Sequence, residues 1–116
     1  MDKAHEKSHT HLTAELTGIA PEQLRDGAHL CGLLIAAASA AGMSPMGLPT
    51  VRETPRGISA VLLLERAHIA IHSLPERQTL LFDAVAPASH DFRKGLEVFT
   101  RRLSARDVKT DSRGRG

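Results

Sequence analysis

A chain of 116 residues and 12.5 kDa has room for one hydrophobic core, and so for one site or for half of a site completed by a second copy. Apolar residues at 41% exclude a disordered chain, and a net charge of +2 with 3% aromatics and no Tyr or Trp excludes a stacking platform for single-stranded nucleic acid. A lone Cys31 excludes an intramolecular disulfide and a Cys-based zinc site; without an 18-residue apolar run, and with the polar opening "MDKAHEKSHTH", neither a membrane span nor a secretory signal is expected and the cytoplasm is the default.

The elements follow in order. Residues 1–9 and 110–116 ("TDSRGRG") are polar and aperiodic and are expected to be flexible tails around one domain, 10–109. "HLTAELTGI" (11–19) has the length and β-branching of a strand. Pro21 and Glu22 open a helix whose apolar residues Leu24, Cys31, Leu34, Ile35 and Ala38 recur at helical steps up to a stop at Gly42. "MGLPTVRET" (46–54) is expected as an edge strand because of Pro49. After the turn at Pro55-Arg56-Gly57, Ile58 to Leu64 is continuous enough to be a strand buried on both faces. Residues 68–73 form the next, with His68, Ala70 and His72 on one face and Ile69, Ile71 and Ser73 on the other. "TLLFDAVA" (79–86) follows the turn at Pro75-Glu76-Arg77. Ser89 is expected to cap a helix with the stripe Phe92, Leu96, Phe99, Leu103, and "RDVKT" adds a short last strand. Two helices on one face of a mainly antiparallel sheet make a two-layer α+β sandwich.

His68 and His72 share a face but stand roughly 13 Å apart along a strand, too far to ligate one metal ion. No metal site is expected there. On pattern alone they are a solvated sheet face, His5, His9 and His11 belong to a solvated N-terminal stretch, and His29 and His90 are helix-surface groups.

"AHIAIHSLPE" resembles the segment S-H-[ILT]-[ST]-[IV]-H-T-W-P-E of the bacterial and archaeal S-adenosylmethionine decarboxylases, pyruvoyl-dependent enzymes of polyamine synthesis. The similarity extends without a gap through "HLTAEL", "LPTVRETPRGIS" and "LLFDAVA", over residues 10–108. It implies that family's α+β sandwich, and a homodimer, because the family's sites form between two copies. It also implies roles: His72 for proton transfer during self-processing, Ser59 for assistance from the neighbouring strand, Glu15 for a cationic substrate, and His68 as the residue just after the cleavage point.

The decisive position departs. In the family, the residue before the first histidine is a serine whose hydroxyl attacks the preceding carbonyl, and the ester then eliminates to leave a pyruvoyl group. Here it is Ala67, whose methyl has no lone pair to attack with. No cofactor is therefore expected in the chain as it stands, where the family has its self-generated pyruvoyl group. The family's proton-donating cysteine falls at Pro87, and the aromatic that stacks on adenine, at the substrate-binding position, falls at Glu53. Cys31 is expected to be a small core residue. Neither Ser73 nor Ser59 has the Glu-Ser-His setting that would replace the lost serine.

Two accounts of Ala67 stand: natural divergence, favoured by the joint change at Pro87 and Glu53, or replacement of an original serine. The leading expectation is a non-processing binding or regulatory homologue of polyamine metabolism, homodimeric or partnered with a catalytic paralogue. It would hold S-adenosylmethionine or a polyamine precursor in a pocket lined by Glu15, Ser59, His68 and His72. The alternatives are an active decarboxylase of S-adenosylmethionine or a basic amino acid whose serine was replaced, and a vestigial dimerising domain.

Overall fold

The computed structural model describes residues 6–116; His5 lies outside them. The strands are β1 (His9–Thr17), β2 (Thr50–Thr54), β3 (Gly57–Leu64), β4 (Ala67–Leu74), β5 (Thr79–Pro87) and β6 (Asp107–Arg115). The helices are α1 (Pro21–Leu24), α2 (Gly27–Ala40) and α3 (Arg93–Arg102), and a 3-10 turn spans Pro75–Arg77. All six strands join one sheet in the order β2-β3-β4-β5-β1-β6, with every pairing antiparallel.

One face of that sheet carries the core. Leu12, Ala84, Ile69 and Leu62 are cross-strand neighbours in a single row, and all four are buried. Leu30, Leu34 and Ala37 of α2 and Leu96 and Phe99 of α3 close over this face, with the Phe82 and Phe99 rings edge to face at 5.7 Å. The fold is thus the expected two-layer α+β sandwich.

Several elements depart from expectation, each for a local reason. The first helix is broken in two, which makes three helices rather than two. Asp26 Oδ1 accepts a hydrogen bond from the His29 N–H at 3.0 Å and so starts α2 afresh as its N-cap. The stop at Gly42 is as expected: it takes a positive φ of 79°, and the Gly42 and Met43 N–H groups return to the carbonyls of Ser39 and Ala38, both at 2.9 Å. Ser89 is not the cap of α3. The Asp91 carboxylate accepts from the Arg93 N–H at 3.0 Å instead, while the expected stripe from Phe92 to Leu103 is buried.

β3 is buried on one face only, and Leu63 is 62% exposed, because the helices lie on a single side of the sheet. The largest difference is at the C-terminus. The stretch expected as a tail from 110 is the second half of β6, paired with β1 from Thr17↔Asp107 to His9↔Arg115. Its residues are almost all exposed, so backbone pairing to β1 rather than apolar burial holds it. His9, assigned to the other tail, is likewise already in β1.

Candidate active site

The helix-free face of the sheet gathers the polar side chains. Register puts Arg52, Ser59, His72, Leu81, Glu15 and Lys109 in one row across all six strands. Ser59 Oγ and His72 Nδ1 are hydrogen-bonded at 2.6 Å, so the imidazole is placed to take the hydroxyl proton. Beside them a groove of about 460 Å³ is lined by Glu15, His72, Leu81, Asp83, Lys109 and Asp111. In the next rows His11 Nε2 meets Asp83 Oδ1 at 2.6 Å, half-buried, and the Asp83 carboxylate fixes that ring. Of its three carboxylates, Asp83 is engaged by His11 and Asp111 by Arg113 Nε at 3.0 Å, which leaves exposed Glu15 as the carboxylate placed to meet a cation.

Ser59, His72 and Glu15 are therefore brought to one face, and His68 joins them one end along, opposite Leu63 and Val85. Ala67 is not. Its methyl points to the helix side, 9% exposed within the core, and β4 carries it about 16 Å from His72 along the strand. Pro87 lies at the Ala67 end of the sheet, where it lines a cavity with Glu65, Arg66, Ser89 and His90. Glu53 is also on the helix side: it pairs with buried Ile58, and a Cβ at Gly27 would meet its carboxylate. Cys31 is half-buried on α2 and not the core residue expected; desolvation, and then the Glu53 carboxylate, push its thiol up, so it stays protonated near neutral pH.

The fit to a pyruvoyl group fails at Ala67 for want of a hydroxyl, and Ser73 offers no substitute. Ser73 is 2% exposed; its Oγ–H donates to the Leu24 carbonyl at 2.6 Å and its oxygen accepts from the Ile58 N–H at 2.9 Å. This one hydroxyl ties α1 to β3. Ser73→Ala strands both partners and is expected to cost about 2–4 kcal/mol. In urea titration the midpoint should fall with the m-value unchanged; a loss below about 1 kcal/mol refutes the bridging role.

The model of the family described as "S-adenosylmethionine decarboxylase" matches residues 10–116. The chain belongs to the S-adenosylmethionine decarboxylase family. It is 35% identical over 66 residues to an S-adenosylmethionine decarboxylase proenzyme of Symbiobacterium thermophilum, covering 57% of this chain and 50% of that protein. It is 28% identical over 99 residues to an arginine decarboxylase proenzyme of Aeropyrum pernix, covering 83% and 75%. Against the curated S-adenosylmethionine decarboxylase relatives, the matched stretch spans between half and about two thirds of their length. The crystal structure of the adenosylmethionine decarboxylase from Aquifex aeolicus superposes with a TM-score of 0.84 at 19% identity, covering 96% of this chain and 92% of that one, which establishes the fold. Among the described residues no helix is long and apolar enough to cross a membrane.

The sequence carries no local signal for the His11–Asp83 pair. Period-two patterning put a polar residue on the outer face of each strand, but the two strands lie 72 residues apart and only the register joins them.

Proposed function

We propose that this chain is a non-processing member of the S-adenosylmethionine decarboxylase family that binds a small cationic metabolite of polyamine (spermidine) metabolism and acts by binding rather than decarboxylation. One observation carries the reading: the position that needs a hydroxyl holds a buried methyl, while the Ser59–His72 pair and the groove lined by Glu15 are present. The ligand class is S-adenosylmethionine or a basic amino acid or polyamine, whose sulfonium or ammonium would pair with the Glu15 carboxylate. Similarity to a protein named arginine decarboxylase proenzyme supports including the basic amino acids.

The functional unit is a homodimer, or a pair with a catalytic paralogue. Ala67 and His72 lie on opposite faces of β4, so only a second copy could bring one position to the other. The helix-free face, with Leu63 exposed on it, is the surface such a copy would cover. A second reading, an active decarboxylase silenced at residue 67, is favoured by the retained Ser59–His72 hydrogen bond.

Thermal shift tests the binding claim. S-adenosylmethionine, ornithine, arginine and spermidine are each titrated, and at 100 times its dissociation constant a true ligand adds about 2.7 kcal/mol, or on the order of 10 °C in Tm for a chain of this size. Glu15→Gln should abolish the shift. Silence with all four compounds leaves the vestigial domain as the surviving account.

A further inference from the structure

The turn between β3 and β4 receives a contact from β1, which only β5 separates from β4. Glu65 and Arg66 connect Leu64 to Ala67, and Arg66 takes a φ of 57°, the left-handed conformation that the second central residue of such a tight turn adopts. A contact from β1, two strands away from β4, reaches this turn. His9 Nε2 lies 3.1 Å from the Arg66 carbonyl oxygen, although the two residues are 57 positions apart in the chain. Ser8 Oγ lies 2.7 Å from His9 Nδ1. If the hydroxyl donates to Nδ1, the ring proton sits on Nε2, so a relay runs from Ser8 O–H through the imidazole to the carbonyl. This carbonyl belongs to the Arg66–Ala67 peptide bond, the one the family resemblance marks for cleavage.

We infer that His9 is the carbonyl-polarising residue of the Arg66–Ala67 peptide bond: it supplies the electrophilic half of a self-cleavage step whose nucleophilic half was lost with the residue 67 hydroxyl. The inference rests on the proposed reading of Ala67 as the silenced processing position, and adds to it a group that neither the sequence nor the similarity pointed to. The chemistry balances in Ala67→Ser. The serine Oγ bonds to the Arg66 carbonyl carbon, and the C=O electron pair moves onto the oxygen, where the His9 Nε2–H receives it. The C–N bond to residue 67 then breaks, and its nitrogen takes up the proton released by the hydroxyl. The product is an ester between Arg66 and the residue 67 side chain, with a free amine on residue 67.

The test compares Ala67→Ser with Ala67→Ser/His9→Phe and Ala67→Ser/His9→Gln, each treated with neutral hydroxylamine to trap the ester and followed by intact mass. Folding of each variant is checked by circular dichroism. Loss of the donor in His9→Phe is expected to slow fragment formation about 10²-fold, the usual effect of removing one oxyanion donor, while the amide N–H of Gln restores most of it. In the natural chain, His9→Phe should also move the Arg66 carbonyl ¹³C resonance upfield. Equal cleavage with and without His9, no cleavage in any variant, or an unmoved ¹³C resonance would each overturn the inference. The Glu15-dependent thermal shift of the natural chain is independent of all three, so a failure here leaves the binding reading standing.

Discussion

Ala67→Ser is expected to change the chain from one species to two. Under denaturing conditions the chain with Ala67 should give a single mass near 12.5 kDa, whereas the variant should split between residues 66 and 67. A methyl cannot begin an acyl shift and a hydroxyl can. What remains around the bond is suited to the step: His9 on the Arg66 carbonyl, and a Ser59–His72 pair on the face a second copy would present. The cleaved variant should turn S-adenosylmethionine over only slowly, since Pro87 stands where the family resemblance places the group that protonates the product carbon after carbon dioxide leaves, and it carries no proton to give. General acids of that kind contribute about 10²–10⁴-fold, so Ala67→Ser/Pro87→Cys should raise turnover by at least the lower figure. An Ala67 chain already in two fragments would sink the non-processing reading, and brisk turnover by Ala67→Ser alone would make Ala67 the sole lesion in an otherwise complete enzyme.

Gly57→Ala is expected to cost about 3–5 kcal/mol, a large share of the 5–15 kcal/mol by which a small domain is stable. Gly57 has a φ of 148°, a conformation strained for any residue with a Cβ, and a methyl there would collide with the Ser73 carbonyl oxygen. That obstacle is backbone, so relief requires β3 to move away from β4. Such a movement also breaks the Ile58 N–H bond to Ser73 Oγ and draws Ser59 off His72. Thermal or urea unfolding measures the loss, and a cost under 1 kcal/mol would show that the strand pair tolerates the methyl. The glycine of "PRGIS" thus serves the close approach of two strands, which in turn sets the distance between the serine and the histidine.

How far the sequence could be read varied with the physics of each element. β4 and α3 were legible because one side of each is buried, so residues 67–74 alternate and Phe92, Leu96, Phe99 and Leu103 form a stripe. The break between α1 and α2 was not, since Asp26 interrupts a helical apolar spacing without disturbing it. β6 was illegible for a plainer reason: an exposed edge strand held by backbone hydrogen bonds carries no hydrophobic period, and "TDSRGRG" has the composition of a tail.

The candidate site divides the same way. Sequence alone determined which chemistry is present and which is missing: imidazoles at 68 and 72, a hydroxyl at 59, a carboxylate at 15, and a methyl at 67, because side-chain identity is a covalent fact. Tertiary structure alone decided which of these groups meet. Strand order and register put Ser59 against His72, Glu15 in their row, His11 against Asp83 and His9 on the Arg66 carbonyl, and they turned Ala67 and Glu53 to the other face. Non-local antiparallel pairing is set by the packing of the whole sheet against its helices, and no window of sequence contains it.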